Sequence, residues 1–461
     1  MSKTVSEKKI LWSLFLAAVA ARWTYALILF LAFGDNGLMV GDSFGYMNAA
    51  TRFVSALASG EPLGWIWLGT DVSVMPLITW LWLASVIVFG NFAVLGFILF
   101  QGVADAGTCL LIYGIAKSLR SDFALPAGIF AAINPTQIVL AGLFYTDTMF
   151  LFFSTLVLFT TLRWMRAPSF GIAVLAGLTV GAAAMTRLLI LPWAACLLGF
   201  LFLIAVWRKQ PIVRCLRDLT VAAAITVLCI APIVARNVVK YDAWALTAQT
   251  GAYYAFWIAP LVKQAKDGTP WETGAEEMAK REAKLPPLVG ENPFELSSRQ
   301  TELGKEALRE LGMPAVAKAW LFGAALNLGS PAALISPPVL RLPRTGFYAT
   351  PGETPLQKVV NFLLRSDNAL YAWIALIGIA GVVAMGVMQL VGFGAILLRP
   401  EHLPGVMLLS SWIVYVLLVN GPIASPKYRL PIEAPLMVFA GAGFRTLRSW
   451  RKTSHPRSHQ A

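Results

Sequence analysis

Residues Ile10–Phe33, ILWSLFLAAVAARWTYALILFLAF, form an apolar run long enough to cross a membrane as one helix. The run has no small-residue cleavage site and no hydrophilic mature domain follows it, so we expect a retained helix rather than a signal peptide. The rest of the chain is similar, because 57% of its 461 residues are hydrophobic and only 13% are charged. A soluble protein carries about 25% charged residues. The sequence therefore predicts an all-α polytopic membrane protein.

Apolar windows of about 17–25 residues predict about ten transmembrane helices. These lie near 10–33, 91–117, 124–141, 148–165, 170–186, 188–206, 219–235, 369–396, 403–420 and 430–446. Two more apolar stretches, 75–89 and 315–336, are expected to lie in the interface or to be partly re-entrant. If both instead span the membrane, the total rises to about twelve. No internal repeat is evident, so an inverted-repeat transporter gains no support.

The charge distribution predicts the orientation. Of the 37 Lys and Arg residues, 17 fall on the side of the N-terminus, with 4 of the 24 Asp and Glu residues. The remaining acidic and basic residues cancel, so the whole net charge of +13 lies on one face. The positive-inside rule assigns that face to the cytoplasm. We therefore expect a multi-pass protein of the cell inner (plasma) membrane with cytoplasmic N- and C-termini, and the charge gives no evidence for nucleic acid binding.

This topology divides the chain into three regions. Residues 1–235 form an N-terminal transmembrane module, whose first outer loop spans 34–90. Residues 236–368 form an outer-face, periplasmic loop region with interfacial helices, and residues 369–461 form the C-terminal transmembrane helices and a basic cytoplasmic tail. Within the middle region, Asn292-Pro293-Phe294-Glu295 is typical of a helix start, with a capping Asn and Pro at the first helical position. That helix is expected to end near Leu311.

Cysteine and histidine offer little catalytic chemistry in this chain. The four cysteines lie inside or beside apolar runs without a paired pattern, which argues against a disulfide framework and a CxxC metal site. All three histidines lie near or after the last apolar segments, which argues against a zinc site or a His-based triad. No cofactor is required by the sequence, and a divalent metal, although possible, is not indicated by any ligand cluster.

Two carboxylates on the predicted outer face are the first candidates for catalysis. Asp42 begins an amphipathic helix that follows the first span, and Asp147 lies at the turn before the fourth span. The alternative for each is a helix cap, which is as good an explanation for Asp42 and the better one for Asp147, and a carboxylate can serve both roles. Asn134-Pro135, within the third span, predicts a kink that re-aims the turn carrying Asp147.

Cationic side chains accompany these acids on the same predicted face. They are Arg187, Arg236, Lys427 and Arg429. Any one of them can simply extend to lipid headgroups, but several converging opposite two carboxylates indicate a binding site. Asp105, near the middle of the second span, is a costly charge in a membrane. We expect a structural polar contact, with pairing to Arg22, protonation, or a proton path as the alternatives.

The ordered motifs together resemble a known superfamily. They are Gly41-Asp42-Ser43-x-x-Tyr46, Gln101 with Leu110-Leu111-Ile112-Tyr113, Asn134-Pro135 before Tyr145-Thr146-Asp147, Met185-Thr186-Arg187, Ala231-Pro232 with Arg236-Asn237, and Lys427-Tyr428-Arg429-Leu430-Pro431. In order and sidedness this set resembles the GT-C superfamily of membrane glycosyltransferases, in the branch of protein O-mannosyltransferases and the lipid A aminoarabinose transferase.

The resemblance implies an activity and a role for each matched residue. It implies transfer of a sugar from a polyprenyl-phosphate donor to a lipid, glycan or protein acceptor at the outer membrane face, with inversion. Asp42 matches the acid that serves as general base, and Asp147 the second acid. The four cations match groups that bind the donor phosphate, and Tyr46, Tyr145 and Tyr428 match substrate-binding positions.

The chain departs from the family where a serine, Ser43, follows Asp42, since relatives often carry a second acid there. Two rival functions remain. A transporter or flippase of a lipid-linked precursor predicts functional charges along a path through the membrane, with Asp105 and Arg22 central. A non-catalytic membrane scaffold predicts that Asp42 and Asp147 are replaceable without loss of function.

Overall fold

The computed structural model describes residues 6–60, 68, 71–288, 290, 292–347, 349–365 and 367–453. These residues form helices and connecting turns, and no β-strand occurs among them. The first ten helices are α1 Glu7–Phe33, α2 Gly41–Ala58, α3 Pro76–Phe89, α4 Ala93–Leu119, α5 Ser121–Ala132, α6 Pro135–Ala141, α7 Asp147–Arg166, α8 Phe170–Thr186, α9 Ile190–Trp207 and α10 Ile212–Tyr241.

A second group of shorter helices follows in the predicted outer region. They are α11 Thr250–Ala252, α12 Ala259–Asp267, α13 Trp271–Ala283, α14 Pro293–Leu311, α15 Met313–Gly329, α16 Pro337–Leu340 and α17 Pro355–Leu364. A π-helical turn, Tyr253–Ile258, joins α11 to α12. The chain ends with α18 Ala369–Leu397, α19 Leu403–Asn420, the short α20 Pro426–Arg429 and α21 Glu433–Thr453.

The helices confirm the predicted polytopic α-helical fold. Seven helical segments of the described chain are long and apolar enough to cross a membrane, or nine if each of two bent pairs is one span. The predicted span 124–141 is one of these pairs, α5 and α6, bent by 47°. The predicted span 170–186 is α8, an apolar helix just below the usual length. Every predicted span therefore coincides with helix, and about ten spans is consistent with the structure.

The two ambiguous apolar stretches also form helices. The stretch at 75–89 is α3, which at about 21 Å is shorter than the hydrocarbon core of a bilayer, about 30 Å. The stretch at 315–336 begins with α15, which follows α14 after a bend of 105°. The predicted start of α14 is confirmed, because the Asn292 side chain accepts a hydrogen bond from the Phe294 amide and Pro293 is the first helical residue.

The last helix, α21, lies inside the bundle. From Leu430 to Gly443 every side chain is buried, and α21 packs against α18, α5 and α4. Its contact with α18 is made by backbone, because a Cβ placed on Gly392 would lie 1.8 Å from the Phe439 carbonyl oxygen. Small residues let membrane helices approach in this way. The α21 helix therefore carries the segment that precedes it, α20, into a fixed place at one end of the bundle.

The break between α5 and α6 is stabilised by a side chain of α1. Pro135 has no N–H, and the Thr136 amide donates to the Asn134 side chain instead of to the helix. The Arg22 guanidinium donates to the carbonyl oxygens of Ala131 and Ala132, which precede the break. An interrupted helix thus gains the hydrogen bonds that its own backbone no longer supplies.

Arg22 is also ion-paired with Asp105 of α4, as one of the sequence alternatives predicted. The Nε of Arg22 lies 2.8 Å from one Asp105 oxygen, and both side chains are fully buried. The other Asp105 oxygen accepts a hydrogen bond of 3.2 Å from the Gln137 side chain. Both oxygens of Asp105 therefore accept hydrogen bonds from side chains of neighbouring helices.

Candidate active site

The segment between α1 and the first turn of α2, in the predicted first outer loop, is joined to the turn between α6 and α7. The Phe144 amide donates to the Leu38 carbonyl oxygen over 2.9 Å, and the Ser43 hydroxyl donates to the Phe144 carbonyl oxygen over 2.8 Å. The Gln101 side-chain amide donates to the Leu143 carbonyl oxygen at 2.9 Å from inside the bundle. Ser43 thus holds two site-bearing segments together, which gives a structural reason for serine after Asp42.

Asp42 lies in the first turn of α2, and its carboxylate faces a lysine from the far end of the sequence. Its Oδ2 lies 2.5 Å from Nζ of Lys427, while about half of the Asp42 side chain is exposed. Lys427 belongs to α20 and is 14% exposed. The Asp42 carboxylate is therefore paired with a cation and is at the same time partly accessible to solvent.

Asp147 is the first residue of α7 and is buried, with 1% of its side chain exposed. Its Oδ1 lies 2.5 Å from an NH group of Arg187, which follows the last residue of α8. Among the described residues, its other oxygen, Oδ2, has no hydrogen-bond partner. The sequence offered a helix cap as the alternative role of Asp147, but its carboxylate forms an ion pair with Arg187. An orphaned carboxylate oxygen is a position at which a bound hydroxyl would be favourable.

The two ion pairs belong to one cluster. Burial opposes the charge of Lys427, but attraction to Asp147 and Asp42 outweighs it and raises the pKa of the ammonium above its usual value. Burial likewise opposes the charge of Arg187, and attraction to Asp147 raises its pKa. Both side chains therefore stay cationic at any physiological pH. The cluster contains two carboxylates and two cations, and its formal charge is balanced.

Tyrosine side chains surround these charges. The Lys427 ammonium lies over the rings of Tyr145 and Tyr428, 5.2 Å and 5.1 Å from their centroids. The Tyr46 hydroxyl is 3.5 Å from the Thr146 hydroxyl. Burial raises the pKa of all three tyrosines above the usual value, so each remains a neutral hydrogen-bond donor. All three predicted substrate-binding tyrosines are therefore placed at the cluster.

Two predicted phosphate-binding cations lie elsewhere. Arg429 is buried and pairs with Glu433 of α21 at 2.8 Å, and it also donates to the Leu328 carbonyl oxygen. Arg236, buried in α10, donates to the side chain of Asn237 and to the Leu68 carbonyl oxygen. The structure thus gives both side chains protein partners of their own, and their predicted role in binding the donor phosphate stays a prediction.

Two residues near the cluster were not among the predicted site residues. Tyr253 opens the π-helical turn and contributes to the electrostatic environment of Arg187 and Tyr428. π-Helical turns often occur at functional sites, but they have no sequence period that would reveal them. Glu433 was missed by the sequence analysis, although it joins Arg429 to the Asn134 side chain, which donates to it over 2.8 Å. A carboxylate at the start of an apolar helix was the available signal.

The charged groups that face the two carboxylates are cationic side chains. Within the described part of the chain, no group of three or more His, Cys, Asp or Glu side chains is placed to hold a metal ion. The positive charges opposite Asp42 and Asp147 come instead from Lys427 and Arg187.

The fold was compared with known proteins. No protein-family model and no curated protein sequence matches the chain. The archaeal oligosaccharyltransferase AglB from Archaeoglobus fulgidus, in complex with an inhibitory peptide and a dolichol-phosphate, is 14% identical with a TM-score of 0.54. The apo form of the Archaeoglobus fulgidus oligosaccharyltransferase is also 14% identical, with a TM-score of 0.55. Each alignment covers 98% of this chain and 52% of the other.

This chain therefore spans about half the length of those oligosaccharyltransferases. ArnT from Cupriavidus metallidurans bound to undecaprenyl phosphate is 17% identical over 96% of this chain and 79% of that chain. Its TM-score of 0.37 is too low to indicate a common fold. At these identities the oligosaccharyltransferase match reports the fold. The chain thus shares the fold of the matched half of those oligosaccharyltransferases.

Proposed function

We propose that this chain is an integral membrane glycosyltransferase that moves a hexosyl or pentosyl group from a polyprenyl-phosphate donor to an acceptor hydroxyl. The observation that carries the proposal is the cluster of Asp42 with Lys427 and Asp147 with Arg187 at one end of a GT-C fold. A solved oligosaccharyltransferase of this fold holds a dolichol-phosphate, which supports a lipid phosphate as the donor's leaving group. The acceptor class is left open between lipid, glycan and protein.

In the proposed reaction Asp42 is the general base. Its half-exposed carboxylate takes the proton of the acceptor hydroxyl as the oxygen attacks the anomeric carbon. The bond between that carbon and the phosphate oxygen breaks, and the polyprenyl phosphate leaves with the electron pair. Attack opposite the leaving group inverts the anomeric centre. The proton ends on Asp42, and no external acid is needed because the leaving phosphate is already a stable anion.

The remaining groups of the cluster serve binding and charge stabilisation. Lys427 and Arg187 would share their N–H donors between the carboxylates and the donor phosphate, the arginine with its planar fork. The unpaired oxygen of Asp147 would accept a hydrogen bond from the acceptor or complement positive charge that develops on the sugar ring. Tyr46, Tyr145 and Tyr428 would line the path of sugar and lipid.

Two of the predicted phosphate-binding residues receive a different proposed role. Arg429 positions α20, because it pairs with Glu433 and with the end of α15 while the neighbouring Lys427 faces Asp42. Arg236 ties α10 to the first outer loop through the Leu68 carbonyl oxygen. Both would therefore support the site without touching the donor.

The proposed location is the cell inner (plasma) membrane, with the cluster at the periplasmic face and both termini cytoplasmic. The partition of charge supports this orientation, because the whole excess of +13 falls on the other face. The competing transporter function would use Arg22 and Asp105 along a path through the membrane. Those side chains are instead occupied by each other and by the α5–α6 break.

The test is a transfer assay. Purified protein is incubated with a panel of radiolabelled polyprenyl-phosphate sugars and membrane extract, and wild type is compared with Asp42→Asn. General base catalysis contributes about 10²–10⁴-fold, so turnover should fall by that factor. The matched control is Asp71→Asn, an acid of the same loop that pairs with Arg52 instead of with Lys427 or Arg187. The control should keep wild-type turnover.

A second arm probes the phosphate. Lys427→Met should raise the KM for the donor, and Lys427→Arg should restore most of the binding, because both cations can contact a phosphate. If no donor in the panel is consumed, the enzyme proposal fails. If Asp42→Asn turns over normally while its melting temperature is unchanged, the assignment of the base fails even if the protein is a transferase.

A further inference from the structure

A second concentration of charge lies at the opposite end of the bundle. A cleft of about 330 Å³ is lined there by Arg120, Asp122, Arg399, Arg445, Arg448 and Trp450, which we call the basic cleft. It lies roughly 25 Å along α21 from Glu433, since Trp450 follows that residue by about five helical turns. The basic cleft is therefore separate from the candidate active site.

The four arginines of the basic cleft come from three separate parts of the chain. Arg120 lies between α4 and α5, Arg399 follows α18, and Arg445 and Arg448 are one turn apart on α21. The positive-inside rule explains why basic residues are abundant on this face. It does not require them to converge on one concave surface, because like charges repel.

Among the described residues that line the basic cleft, the opposing charge is a single carboxylate. Asp122 lies 2.9 Å from Arg120 and 3.7 Å from Arg445. Four guanidinium groups and one carboxylate leave an excess of three positive charges around one cleft. A bound anion would relieve this repulsion, and arginine clusters favour phosphate because the guanidinium binds two phosphate oxygens at once.

The surroundings of the basic cleft are apolar and exposed. Leu397 and Leu398, beside Arg399, are 42% and 83% exposed, and Phe444, beside Arg445, is 38% exposed. Trp450 is 59% exposed at the edge of the cleft, and tryptophan is typical of the headgroup level of a membrane. A phosphate with attached acyl chains would therefore meet charge in the cleft and apolar surface beside it.

We propose that the basic cleft binds a phosphate group, supplied either by an anionic lipid headgroup or by a soluble phosphate compound. The proposal is independent of the transferase function, because it rests on residues of the other face. Arg399 and Arg448 are the residues to replace in the test, because Asp122 pairs with the other two arginines.

The experiment uses the full-length protein in detergent and three proteins. They are wild type, Arg399→Gln/Arg448→Gln, and the control Arg163→Gln/Arg214→Gln, which removes two exposed arginines predicted on the same face but outside the basic cleft. In the first arm, native mass spectrometry measures retention of phosphatidylglycerol against diacylglycerol, which lacks the phosphate. In the second arm, calorimetry measures binding of inorganic pyrophosphate.

We expect wild type and the control to bind the phosphate probe, and the cleft variant to bind it about tenfold more weakly or worse. Loss confined to the lipid arm identifies a headgroup, and loss confined to pyrophosphate identifies a soluble ligand. Arg399→Lys/Arg448→Lys keeps the charge without the planar fork, so it should fold and bind with intermediate strength. Equal binding of both probes by wild type, control and cleft variant overturns the proposal.

Discussion

Two kinds of ion pair occur in this molecule, and they differ in what remains unsatisfied. In the bundle interior, both oxygens of Asp105 are bonded, and Arg22 is used by Asp105 and by two backbone carbonyl groups. At the candidate active site, one oxygen of Asp147 has no partner among the described residues, and Asp42 is half exposed. A closed ion pair holds helices together, whereas an open one leaves polar atoms for a ligand.

The largest expected effect follows from breaking the closed pair. Arg22→Met leaves Asp105 buried without its counter-charge, which costs about 3–5 kcal/mol, and it removes the donors from the α5–α6 break. Thermal unfolding in detergent should show a large loss of stability. Arg52→Met, which breaks the exposed pair with Asp71, should change stability by less than about 1 kcal/mol.

The double variant Arg22→Met/Asp105→Leu sharpens this prediction. Replacing both members of a buried pair by apolar residues is often nearly neutral. Here the double variant should recover only part of the loss, because the carbonyl oxygens of Ala131 and Ala132 still lack their donor. Full recovery would show that Arg22 contributes nothing to the helix break.

The open pair should respond in activity instead of stability. Asp147→Asn keeps the shape of the side chain but removes the charge that faces Arg187. Turnover in the transfer assay should fall at least about a hundredfold, with the melting temperature little changed. If Asp147→Asn loses stability but keeps its turnover per folded molecule, Asp147 has a structural role like that of Asp105 and the prediction is wrong.

An intermediate effect is expected at Glu433, which is satisfied like the closed pair but connects to the segment that carries Lys427 of the open site. Its carboxylate is fully buried, pairs with Arg429 and accepts from Asn134, and so it connects the helix break to α20. Glu433→Gln should raise the donor KM about tenfold by loosening Lys427, and Glu433→Asp should restore part of it. A fall in melting temperature without any change in KM would show a purely structural residue.

The smallest expected effect compares two lysines outside the spans. Burial lowers the pKa of Lys358 from 10.5 to about 8, whereas the carboxylates near Lys427 outweigh burial and raise its pKa. Between the folded and unfolded pKa values of Lys358, the unfolded state binds more protons, so stability rises with pH. From pH 7 to pH 9 this should add about 1 kcal/mol to the unfolding free energy.

The matched variants for that measurement are Lys358→Met and Lys427→Met. Lys358→Met should flatten the rise between pH 7 and pH 9, because it removes the group that titrates in that window. The pKa of Lys427 is raised in the folded state, so its contribution to the unfolding free energy is fully present below its unfolded pKa and is lost only above that pKa. Lys427→Met should therefore leave the rise in stability between pH 7 and pH 9 intact. A rise that survives in Lys358→Met would contradict the lowered pKa.

Several candidate site residues could be selected from the sequence, because their positions along the chain relative to the predicted spans place them on one face of the membrane. Asp42, Asp147, Arg187 and Lys427 each stand beside the end of an apolar run, and alternate run ends share a face of the membrane. The partners of Arg236 and Arg429 could not be predicted in this way. Arg236 bonds to a carbonyl 168 residues away and Arg429 to one 101 residues away, and such contacts depend on how helices pack.

The sequence by itself determined the fold class and, roughly, the number of membrane spans, and it predicts which face carries the positive charge. Hydrocarbon excludes unpaired backbone groups, so an apolar run of sufficient length has to form a helix. Only the tertiary structure decided which charges meet, because a side chain's partner is set by helix packing and by breaks such as Asn134-Pro135. The same physical cost of a buried charge thus produces a closed pair at Asp105 and an open one at Asp147.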